Sequence, residues 1–351
     1  MRRNQVAGYI FEMEILELLK ESDFVDVKEE NLKGRGTEHQ IDAYGTFAIP
    51  IPFTYPIRLI AEAKCYKESI ELPLIRSFFG VITDISENYI VGEDRKRNTP
   101  DRYLDTGCFF AANSFTKDAQ DFAWAHNIFL ISFSGNEKMS LMIQNIRDFT
   151  KSLTDEELKE LSKMKGIQIK EIRERYKRWR PSPPKGNLSQ IEKYPSLLIG
   201  TIDSTYPVIV VGNRGWYKDF KISGKTDKIK GVKTDRKSLN EGTFFNVEIE
   251  DDNEVGKKKV VSICFTLPDT IAGKIKERIG KTESGRKIFD LDIPLIVWDR
   301  DEYTRRIIKI EVNLPEYEKK KYEEKIKGDH EQKKEPFKIL NRLTIEDIRG
   351  K

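Results

Sequence analysis

Apolar residues Ile10, Phe11, Ile15, Leu18 and Leu19 recur at helical spacing and predict an amphipathic helix over residues 5–20. Phe24 to Val27 predicts a short strand, and Gly34-Arg35-Gly36 a turn. Residues 37–49 read as a strand, after which Pro50, Pro52 and Pro56 punctuate the chain. The clearest strand is 57–66, IRLIAEAKCY. Between Ile70 and Tyr89 a helix packs Leu74, Ile75, Phe78, Phe79 and Ile82, and the polar run Glu93 to Arg102 reads as a loop. Gly107 to Asn113 is a small apolar strand, Ser114 or Thr116 caps a helix through Ala125, and Ile128 to Phe133 is a further strand. This order predicts an α/β layer structure, a mixed central sheet flanked by helices.

Beyond it the pattern changes twice. Residues 138–180 read as charged helices, with Thr154 and Glu157 forming a capping box, and end in a run rich in Pro and Gly, Pro181 to Gly186. From about residue 190, LLIGTID, PVIVVG, FFNVEIE, VVSICFTL, FDLDIPLIVW and IIKIEV read as strands between turns. The expected organisation is an α/β domain over 1–136, a helical connector with a Pro-rich linker over 137–186 and a mostly β domain over 187–315. A charged helical or disordered tail covers 316–351. No internal repeat is visible.

Composition narrows the class. With 38% hydrophobic and 34% charged residues the chain can build packed cores, and 351 residues suit two domains. No apolar run reaches the roughly 18 residues of a membrane span, and Glu12, Glu14 and Glu17 interrupt the apolar N-terminal stretch, so a signal peptide is not expected. The expected location is the cytoplasm. Cys65, Cys108 and Cys264 are too scattered for a disulfide framework or a zinc site. A net charge of +4 permits nucleic-acid binding without arguing for it.

The chemistry concentrates in two strands. Along 57–66, Arg58, Ile60, Glu62 and Lys64 share one face, while Ile57, Leu59, Ala61, Ala63 and Cys65 share the other. Glu62 and Lys64 therefore point the same way, roughly 6–7 Å apart at ordinary strand rise. On the preceding strand Glu38, Gln40 and Asp42 share a face. If the strands are antiparallel neighbours, Asp42 lies opposite Glu62. Two facing carboxylates repel, and a hard divalent cation relieves that cost. Such an ion lowers the pKa of bound water and neutralises charge on a phosphate, with Lys64 as a cationic stabiliser. Acid-x-Lys triplets also occur at Glu157–Lys159, Glu318–Lys320, Glu323–Lys325, Glu331–Lys333, Asp94–Lys96, Asp235–Lys237 and Asp26–Lys28, all in polar or frayed stretches. Glu62–Lys64 lies inside an apolar strand. The residues alone leave catalysis and a surface ion pair both open.

GRGTEHQIDAYG followed by LIAEAKCY resembles the core of the PD-(D/E)xK nucleases, and more closely the Mrr-type restriction endonuclease catalytic domain. AGYIFEMEILELL, ELPLIRSFFGVITD and FFAANSFTKDAQDFAWAHNIFLIS resemble further pieces of that domain in the same order, so the resemblance spans about residues 6–135. It implies a restriction-endonuclease-like core in which Asp42, Glu62 and the Ala63 carbonyl bind metal. Lys64 would support the nucleophile, and Glu12 would face the site from the first helix. Many Mrr-type members carry glutamine where Glu62 stands. The implied activity is Mg²⁺-dependent DNA cleavage, with Mn²⁺ as substitute, in restriction or anti-phage defence. A homodimer is implied by the need to cut two strands. A structure-selective repair or junction nuclease, a nucleic-acid-binding sensor without cleavage, and RNA as substrate are the alternatives.

Other residues carry two readings each. Glu12 is a site residue or an exposed helix acid, and Glu38 a second metal ligand or a strand-end acid. Gln40 could contact phosphate or water, while His39 alternates to the face of Ile41 and Ala43, away from the site. Arg35 could touch phosphate or belong to a solvated turn, and Lys117 could meet DNA beside a capping Ser114 or Thr116. The stretch Arg173, Arg175, Tyr176, Lys177, Arg178, Trp179, Arg180 suits phosphate contact and base stacking, or an amphipathic helix end. Trp216, Tyr217 and Trp298 read as core or rim aromatics of the β domain.

Overall fold

A computed structural model describes residues 1–22, 24–48, 55–88, 102–134, 137–164, 167–180, 195–213, 227–235, 243–251, 259–281, 286–299 and 302–313. The chain divides into two compact units, Met1–Ser196 and Leu197–Lys351. Trp216, Tyr217 and the expected tail over 316–351 lie outside the described residues, as does the side chain of Trp298.

The first unit runs α1 (Arg3–Lys20), β1 (Phe24–Lys28), β2 (Leu32–Lys33), β3 (Glu38–His39), β4 (Ala43–Phe47), β5 (Ile57–Lys64), α2 (Leu72–Ser86), β6 (Leu104–Ala111), α3 (Lys117–Ala125) and β7 (Ile128–Ser132). Three helices follow, α4 (Glu137–Ser152), α5 (Asp155–Lys163) and α6 (Gln168–Trp179). Strands β1-β4-β5-β6-β7 form one sheet in that order. β1, β4 and β5 pair antiparallel, and β5, β6 and β7 pair parallel. The sheet is thus mixed, as the alternation of strands and helices requires.

Both faces of β5 are consumed by packing. Ile60 joins Ile75, Phe78 and Ile82 of α2 and Phe109 of β6 in one buried cluster. Leu59 and Ala61 are fully buried as well, so the strand can expose polar groups only at its ends. One end holds a buried ion pair: Arg58 Nε donates to Asp105 Oδ1 at 2.6 Å, and Nη2 to Oδ2 at 3.1 Å. The Asp105 side chain is 3% exposed, and the guanidinium lies 4.4 Å from the centre of the Tyr103 ring. The other end carries Glu62 and Lys64.

The strand expected over 37–49 is broken. β3 pairs with β2 as a small separate ribbon, and β4 begins only at Ala43. The turn that leads into this ribbon is held by Asp84 of α2. Its carboxylate accepts from the Gly36 N–H at 2.8 Å and the Thr37 N–H at 3.3 Å, and lies 2.7 Å from His39 Nε2. The Asp84 carbonyl also accepts the Arg35 N–H at 2.8 Å. Gly34 permits this approach, because a Cβ there would lie 2.0 Å from Asp84 Oδ2.

Helices α4 to α6 do more than connect. α1 packs against α4 and α6 as well as against the sheet. It is accordingly buried at Val6, Ile10, Phe11, Met13, Ile15, Leu18 and Leu19. Thr154 and Glu157 form the expected capping box on α5, at 3.2 and 2.7 Å. Thr116 caps α3, whereas Ser114 is buried against Ser69.

In the second unit β8 (Pro195–Ile202), β9 (Tyr206–Asn213), β10 (Asp227–Asp235), β11 (Thr243–Asp251), β12 (Lys259–Leu267), β13 (Lys287–Asp299) and β14 (Glu302–Asn313) close into a barrel. The circuit runs β10-β11-β12-β9-β8-β13-β14, and β14 returns to pair parallel with β10. One helix, α7 (Asp269–Lys281), lies between β12 and β13 among the described residues. Phe265, Phe289, Leu291, Ile293, Ile310 and Val312 are buried there.

Candidate active site

Pairing of Ala43 with Ala61 sets Asp42, one step before β4, against Glu62 on β5. Asp42 is fixed there because its Oδ2 accepts the Ala63 N–H at 2.8 Å. The Lys64 ammonium forms an ion pair with Glu62 and lies 3.6 Å from Asp42 Oδ2. It also donates to the Ala63 carbonyl at 3.3 Å. The three side chains are 12%, 23% and 23% exposed, so water screens their interactions weakly.

Electrostatics follow from this crowding. Burial raises the Glu62 carboxyl pKa, Asp42 raises it further, and Lys64 opposes both. Burial lowers the Lys64 pKa, but Glu62 and Asp42 outweigh it and the net shift is upward. Lys64 is therefore an ammonium at neutral pH, suited to stabilising negative charge and unsuited to accepting a proton.

Glu12 reaches the same field from α1. Burial and then Asp42 push its carboxyl up to about 7, against the attraction of Lys64 and Arg173. A cleft of about 390 Å³ separates α1 from the end of β5, with Gly8, Tyr9 and Glu12 lining one wall and Ala63, Lys64 and Tyr66 the other.

Among the described residues, no three His, Cys, Asp or Glu side chains gather as a ready metal cage. The donor set is instead two carboxylates, Asp42 and Glu62, beside the Ala63 carbonyl. All three donors are hard oxygens. That composition fits Mg²⁺, which keeps several waters and takes one or two carboxylates. The raised pKa of Glu62 is also what a cation would relieve.

The remaining candidates are dispersed. Because the strand is interrupted between His39 and Ala43, Glu38 sits on the separate ribbon opposite Lys33, exposed, and does not share a face with Asp42. Gln40 is exposed in the break. His39 pairs with Asp84, away from the carboxylates. Arg35 pairs with Glu87 at 3.2 Å, and Lys117 is exposed at the start of α3.

The basic run of α6 is engaged with the protein's own acids. Arg175 pairs with Glu171 and Glu160, and Arg178 lies 3.6 Å from Glu171. Arg180 pairs with the buried Glu14 at 2.9 Å, and Trp179 packs against Phe149 and Tyr176. These contacts are those of an amphipathic helix end. Sequence reasoning missed Asp84, whose only local trace is the glycine pair 34 and 36. It also placed Arg173 in a stretch open to nucleic-acid contact or an amphipathic helix end and gave no sign that its guanidinium lies 3.8 Å from Glu12.

Residues 3–137 match the Mrr_cat family, described as a restriction endonuclease. No curated protein matches the chain. A solved structure, titled as the crystal structure of a protein of unknown function, AF1548, is similar at 15% identity and a TM-score of 0.30. That similarity covers 49% of this chain and 97% of the other.

Proposed function

We propose that the Mrr-type restriction-endonuclease domain of this chain is a divalent-metal-dependent DNA endonuclease with Asp42, Glu62 and Lys64 at its centre, acting in restriction or defence. The observation that carries the reading is the fixed Asp42–Glu62–Lys64 cluster at the end of β5, built on the domain that the family match covers. Asp42, Glu62 and the Ala63 carbonyl would hold Mg²⁺ or Mn²⁺. When bound, the ion supplies charge neutralisation at the phosphate and a more acidic water. Lys64 holds its proton and places a positive charge beside the developing phosphate charge. Glu12, across the cleft, orients water or a ligand of the site. A homodimer, which gives one such cluster to each DNA strand, completes the proposal.

The test is cleavage of methylated and unmethylated plasmid by the full chain, with Mg²⁺ or with EDTA. Metal-dependent cutting is expected, and Asp42→Asn is expected to abolish it while leaving DNA binding intact. Full activity of Asp42→Asn would remove the site assignment.

A further inference from the structure

The residues that match the family end at 137 and include every residue that lines the cleft, yet one of these, Glu12, has a close cation from beyond that segment. Arg173, on α6, is only 17% exposed and contacts three groups of the first unit. It grips Glu29 with both terminal nitrogens, at 2.6 and 2.8 Å. Its Nε donates to the Tyr9 carbonyl at 3.5 Å. Its Nη2 lies 3.8 Å from Glu12 Oε2. Tyr9 and Glu12 are three residues apart on α1 and line the cleft together with Lys64.

The grip on Glu29 and Tyr9 fixes where the guanidinium stands. Its remaining reach is spent on Glu12. The acids Asp42 and Glu29 and the cations Lys64 and Arg173 all act on the Glu12 carboxyl. Lys64 is committed to Glu62 and Asp42. Lys64 still acts on Glu12 through space, and Arg173 is the cation that comes near it, at 3.8 Å. A planar fork held on one side by a carboxylate is stiff, so it can fix a second carboxylate by charge without a hydrogen bond to it.

We propose that Arg173 is a positioning residue of the active site: from a helix outside the family segment it fixes Glu12 against the cleft and balances its charge. This rests on the reading that the cleft carries the chemistry. α4 to α6 are then part of the catalytic unit. Outer residues that orient a site typically change activity or metal affinity by about 10–100-fold when removed.

The test uses the full chain with Arg173→Gln, which keeps donors for Glu29 and Tyr9 but deletes the charge, and Arg173→Lys, which keeps the charge. Arg173→Met replaces the glutamine variant should that one not fold. Single-turnover cleavage by Arg173→Gln is expected to slow about tenfold or more, with duplex affinity in EDTA unchanged, and Arg173→Lys to recover most of the rate. Wild-type cleavage by Arg173→Gln overturns the proposal. So does equal slowing of both variants that follows equal losses of melting temperature, the mark of a mere brace. If the wild type cuts no nucleic acid, the nuclease reading has failed, and Mn²⁺ titration by calorimetry decides for Arg173. Several-fold tighter Mn²⁺ binding by Arg173→Gln upholds the role, because a competing cation has gone; unchanged affinity overturns it.

Discussion

Single residues at this site are held in states that water would not favour. Glu12 is the plainest. Its carboxyl is raised from 4.5 to about 7. The folded protein therefore binds a proton there more tightly than the unfolded chain. Linkage then makes stability fall as pH rises from 4.5 through about 7, with the favourable contribution fully present below that window. Glu12→Gln removes this dependence. Its melting temperature is expected to match the wild type near pH 4.5 and exceed it at pH 8; a wild-type advantage at pH 8 would contradict the shift. Lys64 is bound to the opposite outcome. Its ammonium is stabilised by Glu62 and Asp42, so Lys64→Met should leave two facing carboxylates uncompensated. Cleavage is expected to be lost in that variant, with stability falling as the carboxylates ionise.

Elements show which information is local and which is not. β5 was legible because Leu59, Ile60 and Ala61 make a short apolar run buried on both faces, and Glu62 and Lys64 fall where that run ends. α2 and the Thr154–Glu157 box were legible for the same reason: each is decided within about four residues. The strand over 37–49 was not, because β propensity continues through it while its two ends pair with different partners, Glu38–His39 with β2 and Ala43–Phe47 with β1 and β5. The Arg58–Asp105 pair was equally hidden, since alternation places Arg58 on a face and says nothing of what sits on the next strand. Arg58→Ala leaves Asp105 buried without its main partner and should cost about 3–5 kcal/mol in urea unfolding. Replacing both by apolar residues, Arg58→Met with Asp105→Leu, should cost far less. Equal losses from the single and the double change would show that the pair itself stabilises.

At the scale of the whole molecule, the boundary suggested by composition and the boundary set by packing differ. Residues 137–180 look like a connector because they are charged and end before a Pro-rich run. Yet α1 is covered by α4 and α6, and Glu14, 3% exposed, has Arg180 as its ion partner. None of this can be read locally: Arg173 and the Tyr9 carbonyl that it meets are 164 positions apart in the chain. A fragment of residues 1–137 is therefore expected to expose the apolar side of α1, bind a hydrophobic dye and unfold without a cooperative transition. A fragment of residues 1–196 should unfold cooperatively. Cooperative unfolding of the shorter fragment would make the later helices dispensable.

The second unit adds a constraint of a different kind. Among the described residues its strands complete a circle, with β14 returning to pair with β10 at Asp227–Ile229, so no strand of the circle stands as a free edge. Such closure works against recruitment by strand addition, a frequent way for β modules to seize peptides. A closed sheet favours recognition through side chains on its outer wall or through the segments that join its strands. Those are the parts of a β fold that change most freely without disturbing the pairing beneath.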